Sequence, residues 1–169
     1  NGAVDNATGV AGIIELARLF KNIDTDRSLI FLATTLEESG LLGSEFFANY
    51  PPIDLANVVA GFNFDGILPT GKTKDMAVIG YGASELEELL ERQLLKEGRY
   101  INPDPNPEKG FFYRSDHISF AKRGVPVLFS DDGFDLIDGG KIAGMEKLYD
   151  YTLNKYHAVN DEYDESWNL

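Results

Sequence analysis

The chain has no cysteine among its 169 residues. Disulfides and thiolate metal sites are thereby excluded, and the redox compartment is left open. Positive charge is also short: 15 Lys and Arg against 28 Asp and Glu give a formal net charge of −13. That balance argues against a nucleic-acid-binding surface or a face for anionic membranes. It allows cation binding, although most such charge simply keeps a protein soluble. No apolar run approaches the roughly 20 residues that a membrane-spanning helix needs. Neither an initiator methionine nor a signal peptide opens the chain, which starts at Asn1-Gly2-Ala3-Val4-Asp5. The expectation is an excised piece of a longer protein, so a missing targeting segment carries no message about location.

What is present is ordinary globular material, 43% hydrophobic and 12% aromatic, of a length that fits a single domain over residues 1–169. Asn6 to Phe20 reads as a helix, with Val10, Ile13, Ile14, Ala17 and Phe20 on one face and Asp5 or Asn6 as cap. Gly9 and Gly12 weaken that helix but let another backbone come close. Lys21 to Ser28 reads as a polar loop. The apolar run Leu29-Ile30-Phe31-Leu32-Ala33 predicts a buried strand, and Gly40 to Tyr50 a helix stopped by Pro51-Pro52. Val58 to Asp65 predicts a further strand, too apolar for an exposed edge, and Met76 to Tyr81 another. Ser84 to Glu97 predicts a helix with Ser84 and Glu87 forming a capping box and Leu86, Leu89, Leu90 and Leu94 inward. Pro103, Pro105 and Pro107 make Ile101 to Gly110 a loop. A short helical segment follows Arg114-Ser115-Asp116-His117, then a strand over Val125 to Ser130, an acidic loop over Asp131 to Gly140 and a helix over Lys141 to Tyr156. Strands alternating with helices predict an α/β fold with a largely parallel sheet and helices on both faces.

The chemistry-bearing groups fall at strand ends and helix starts: Asp5, Glu37, Glu38, Asp65, Asp116, His117 and His157. In open α/β sheets ligands bind outside the carboxyl ends of strands. Carboxylates with imidazole and no thiolate suit hard or borderline divalent ions, zinc being favoured once histidine takes part. Four carboxylates gathered without a cation would repel one another, so such a cluster needs a metal or raised pKa values. Taken alone, paired glutamates after a strand are more often simply a solvated turn, and the residues by themselves do not show that these groups meet.

The ordered stretches Gly2–Ala11, Glu37–Ser44, Asn63–Asp65, Arg114–His117 and Tyr156-His157 together resemble the co-catalytic zinc aminopeptidase family. That family spans secreted bacterial leucyl-type aminopeptidases and the glutamate carboxypeptidase and transferrin-receptor branches. The resemblance implies a three-layer α/β/α domain with a mixed, mostly parallel sheet, of which this chain would be the C-terminal part. It implies a peptide substrate and two zinc ions bridged by Asp5. Glu38 and His157 would complete one ion's ligands, and Asp65 would serve the other. Glu37 would be the general base, taking a proton from the attacking water and passing it to the leaving amine. Tyr156 would donate to the developing oxyanion. Arg114 and His117 would be cleft residues, and Asp116 would orient a ligand from behind. A cis peptide at Asp5–Asn6 is implied too.

One departure stands out. The family draws a second-metal histidine from a His-x-Asp motif upstream of the bridging carboxylate, and this chain holds only His117 and His157. The expectation is that the chain alone binds one zinc or none and is inactive. The resemblance also favours an extracytoplasmic location. Aminopeptidase action is preferred to carboxypeptidase action because no basic cluster offers a clamp for a terminal carboxylate. Two rivals remain. A glutaminyl-cyclase-type single-zinc acyltransferase shares the Asp116-His117-x-x-Phe120 and Gly124-Val125-Pro126-Val127 runs, and a receptor-like domain without catalysis shares the fold. The Asp5–Gly9 and Glu38–Ser44 stretches look like the peptidase branch, and retention of every carboxylate with His157 speaks against the receptor-like domain.

Overall fold

The computed structural model describes residues 1–168. An irregular turn over Ala3–Thr8 leads into α1 (Gly9–Phe20), and α2 (Leu42–Asn49) follows a long connection. Next come β1 (Gly61–Asn63), β2 (Asp75–Ile79), α3 (Leu86–Lys96), β3 (Tyr100–Pro103), α4 (His117–Ala121), β4 (Val127–Asp132) and α5 (Gly140–Asn154). The sheet has the order β1-β4-β2-β3. β4 runs parallel to β1, with Gly61 opposite Val127, and antiparallel to β2, with Met76 opposite Asp132; β2 runs parallel to β3. The fold is therefore α/β with a mixed sheet. No helix is long and apolar enough to cross a membrane among the described residues.

The core is the meeting of β2, α3 and β4. Val78, Leu86 and Leu128 bury against one another, with Ala60, Leu90 and Ile101 packed around them. Each such side chain removed from water contributes about 1.5–3 kcal/mol. α3 is fixed by the capping box expected from its sequence. Ser84 Oγ accepts from Leu86 N at 3.2 Å, and the buried Glu87 carboxylate accepts from the amides of Gly82, Ala83 and Ser84. α4 packs against β1 and β4 and against α2, the α2 contact including a buried Ser44–Ser119 hydroxyl pair at 3.0 Å and the tilted rings of Phe47 and Phe120. Asp75 is fully buried at the start of β2. Its carboxylate accepts from Asn102 Nδ2 and from the amides of Phe134 and Asp135, tying β3 to the segment after β4.

Several sequence expectations change. Leu29–Ala33 is not a strand, and Leu29, Ile30 and Phe31 are exposed. Apolar residues mark a preference for burial, but a strand also needs a ladder partner, and none of the described residues supplies one. β1 spans three residues rather than Val58–Asp65 and is an edge strand, with Phe62 60% exposed. The inward face assigned to α1 is likewise open at Val10, Ile14 and Phe20, and Leu89 of α3 is exposed. α1 starts at Gly9 because Asp5 and Asn6 have non-helical backbone angles, and neither residue caps it. The proline-rich stretch begins as strand β3, not loop. β3 lies at the sheet edge beside β2 alone, where Pro103 costs no ladder bond to a further strand. β4 extends through Asp131 and Asp132, which removes both from the expected solvated loop.

Gly9 carries the expected close approach. A Cβ there would stand 2.1 Å from the carbonyl oxygen of Asp65 and 2.7 Å from that of Phe64. Both obstacles are backbone, so they cannot rotate away. Gly9→Ala is expected to destabilise the full-length protein by on the order of 3 kcal/mol, read as a lower urea midpoint.

Candidate active site

The Glu37–Glu38 pair sits in a turn held from both sides. Thr34 Oγ1 donates a hydrogen bond to the Asp116 carboxylate. Gly43 N donates to Thr35 O at 3.0 Å, and Leu41 N donates to Glu37 O at 2.8 Å. A Cβ on Gly43 would stand 2.3 Å from Thr35 O, so the first turn of α2 can seat there only with glycine. Leu36 and Leu41, flanking the pair, hold φ values of 58° and 61°. A left-handed conformation costs a non-glycine residue about 1–2 kcal/mol, and such strain tends to collect at functional sites. Glu37 turns inward to half-burial, whereas Glu38 stays exposed.

Asp5 lies in the Ala3–Thr8 turn, and its peptide bond to Asn6 is cis. Thr8 Oγ1 donates to Val4 O at 2.7 Å and accepts from Ile67 N at 2.8 Å, joining this turn to the chain beyond β1. His157 follows α5 with φ 56°, its ring stacked on Tyr156 with centroids 3.9 Å apart. Its Nε2 lies 3.2 Å from Asp5 Oδ2 and 3.1 Å from Glu38 Oε1. Asp5, Glu38 and His157 thus offer three donor atoms within 4.8 Å of one another. Zinc bonds of about 2.0–2.1 Å in a tetrahedron leave ligand atoms roughly 3.3 Å apart. The donor set and its spacing fit that ion.

Asp65 stands beside this trio but outside it. Its carboxylate accepts from Ser115 Oγ at 2.6 Å and from Asn6 Nδ2 at 3.5 Å. The crowding of negative charge is felt throughout. Burial, then Asp65 and Glu38, raises the Asp5 carboxyl to about 6. Burial, then Asp65, Glu38 and Asp116, raises Glu37 to about 7. Tyr156 is raised to about 12, first by burial and then by Asp5 and Glu38, with Arg114 pulling the other way. Its phenol stays protonated across the physiological range.

These groups line a cavity of about 760 Å³, within the range of small-molecule sites. Glu37, Glu38 and Asp65 face it with Arg114 and Tyr156, while Phe111, Phe129, Leu148 and Tyr149 supply apolar wall. His117 does not line it. The ring is 3% exposed, meets Phe112 and Phe129, and both nitrogens lack a hydrogen-bond partner among the described residues. Burial pushes it down to about 4, so it is a neutral core imidazole rather than a cleft residue. Asp116 orients no ligand directly; it holds Thr34 and adds its charge to the field on Glu37.

Three acidic residues near the site, Asp131 and Asp132 in the cavity wall and Asp161 behind Asp5, were given no role from the sequence. Asp161 is 2% exposed and accepts from the amides of Val4 and Asp5. Its only sequence signal is a four-residue offset from His157 within a polar run. Asp131 and Asp132 looked like solvated loop. Instead, burial and then the Asp132 charge raise Asp131 to about 7, and burial raises Asp132 to about 6 against the opposing hydrogen bond from Leu68 N. A carboxyl whose folded pKa lies above its unfolded value of 3.8 favours the fold in its protonated form. That contribution is complete below the unfolded value and is lost as pH rises through about 7. Asp131→Asn is therefore expected to raise the melting temperature near pH 8 and leave it unchanged near pH 3. With solvent in the cavity screening part of the effect, the gain is on the order of 2 kcal/mol. Thermal melts at the two pH values check it.

Comparison with known proteins places this geometry in context. The profile of peptidase family M28 matches residues 1–169. Leucine aminopeptidase 2 of Arthroderma otae is 30% identical over 176 aligned residues, covering 96% of this chain and 34% of the relative. Among solved structures, an aminopeptidase from Aneurinibacillus sp. strain AM-1 superposes with a TM-score of 0.62 at 26% identity, over 78% of this chain and 31% of that one. BSAP, a zinc aminopeptidase from Bacillus subtilis, shares the fold with a TM-score of 0.60 at 23% identity, over 78% of this chain and 32% of its own. The chain spans about a third of the length of the curated relatives it matches.

Proposed function

This chain belongs to peptidase family M28, and from that premise we propose that the protein is a zinc-dependent aminopeptidase with Glu37 as its general base. The observation that carries the reading is the convergence of Asp5, Glu38 and His157 on one point, with the unengaged Glu37 carboxylate beside them. An ion held by the three donors would supply Lewis-acid polarisation of the scissile carbonyl and acidify water.

The chain's own residues do the rest. Glu37, half-buried and outside the donor trio, takes a proton from the attacking water and returns it to the departing amine. Tyr156 donates its phenolic hydrogen to the oxygen that gains negative charge. The cavity wall carries Asp65, Asp104, Asp131 and Asp132 against the basic Lys109 and Arg114. Such a surface favours a substrate's terminal ammonium over a terminal carboxylate, which supports aminopeptidase rather than carboxypeptidase action. Phe111, Phe129 and Tyr149 receive the side chain of the residue to be released.

Two zinc ions form part of the proposal. Asp5 and Asp65 would hold the second ion. His117 is buried away from Asp65's cavity face, so the second ion needs a donor beyond these residues. The 169-residue chain alone is expected to carry at most one zinc and to lack turnover, which zinc analysis and an aminoacyl-anilide assay check. An extracytoplasmic location is proposed on family grounds, with cell fractionation as its test.

For the activity itself, the full-length protein should release N-terminal residues from unblocked peptides and spare N-acetylated ones. A chelator should abolish the release and zinc restore it. Cyclisation of N-terminal glutamine without residue release, or cleavage inside blocked peptides, would contradict the reading.

A further inference from the structure

We propose that Asp161 is a positioning residue for the metal-binding carboxylate Asp5, an inference that rests on the functional reading above. Its Oδ1 accepts from Val4 N and its Oδ2 from Asp5 N, each at 3.0 Å, across 157 and 156 residues of sequence. Its backbone joins the same two segments. The carbonyl of Asp161 accepts from Ala3 N at 3.1 Å, and its amide donates to Ala158 O at 3.2 Å, one residue past His157. A single buried residue thereby couples the turn that carries Asp5 to the turn that carries His157. Val4 is buried and Asp5 half-buried, so the two amides have little recourse to water, and an unmet buried donor is costly. Charge-assisted bonds to both oxygens also fix direction. If the pair of bonds loosens, the backbone of Asp5 can rotate, and its carboxylate leaves the point where Glu38 and His157 converge.

Asparagine is the informative substitution. Its single oxygen can accept from one amide, while its NH2 faces the other donor. In the full-length protein, Asp161→Asn is expected to weaken zinc binding by about 10–100-fold, the range found when a group that orients a ligand is lost. Competition against a chromophoric chelator reads that affinity. The visible bands of the cobalt-substituted protein should shift, and kcat should fall with KM within about twofold, since the substrate pocket is untouched. The metal-free protein is expected to melt a few degrees lower, the cost of the one amide left without an acceptor, so zinc affinity and the cobalt bands carry the decision. Zinc affinity and cobalt bands equal to wild type would overturn the proposal. So would a lower metal-free melting temperature with unchanged affinity and kcat, which would leave Asp161 a fold-stabilising role only. If Asp161→Asn does not fold, Asp161→Glu decides by the same affinity criterion. Wild-type protein that binds neither zinc nor cobalt would instead overturn the metal reading itself, an outcome distinct from an unaffected variant.

Discussion

Replacing Glu37 with glutamine is expected to lower kcat of the full-length protein by about 10²–10⁴-fold, the usual contribution of a positioned proton carrier, with zinc content unchanged. The two halves of that expectation come from the geometry. Glu37 is absent from the donor trio, so removing its charge leaves Asp5, Glu38 and His157 in place. Glutamine keeps the shape and hydrogen-bonding reach of the side chain but cannot take up a proton and give it back. In the metal-free site burial and the nearby charges of Asp65, Glu38 and Asp116 raise its carboxyl to about 7; a bound cation would draw it down, leaving a carboxylate able to take up a proton and give it back. Steady-state rates on an aminoacyl anilide, with zinc measured in the same samples, separate the outcomes. Lost rate with retained zinc supports the assignment. Unchanged rate removes Glu37 from the chemistry.

Replacing His157 with alanine should act on the other half of the site. Zinc affinity is expected to fall by more than about 100-fold, beyond the loss seen when only a supporting group is removed. His157 is the one nitrogen donor of the trio, and without it only the two carboxylates of Asp5 and Glu38 remain to hold the ion. The contrasting variant is His117→Phe. Both nitrogens of His117 lack partners among the described residues, and the ring lies between Phe112 and Phe129. An aromatic hydrocarbon there should preserve zinc binding and turnover. Equal loss of zinc in both variants would contradict the assignment of His157 as the ligand and His117 as core.

The α/β class was legible because apolar runs alternate with helical periodicity along most of the chain, and β2, α3 and α5 fall within a few residues of expectation. The capping box of α3 could be read because every partner is local in sequence. Failures cluster where the deciding partner is remote or missing. Leu29–Ala33 has the composition of a buried strand, but pairing is a property of two segments, and Leu29, Ile30 and Phe31 are exposed. β1 is shortened at the open edge of the sheet for a related reason. β3 was hidden by prolines whose effect depends on which strand edge they occupy. The acids divide in the same way. Glu37 and Glu38 announced themselves by adjacency after a strand-like run. Asp161 acts through amides 156 and 157 residues away, which no local pattern encodes. His117 shares its residue type with a ligand, and its burial between Phe112 and Phe129, outside the cavity lining, identifies it as core.

The central claim is that Asp5, Glu38 and His157 hold a zinc ion beside a free Glu37. Anomalous diffraction at the zinc edge from crystals of the full-length protein tests it most directly. The account predicts a zinc peak in bonding contact with carboxylate oxygens of Asp5 and Glu38 and with Nε2 of His157, and no bond to Glu37. Zinc bound elsewhere, or bound through Glu37 in place of Glu38, would contradict it.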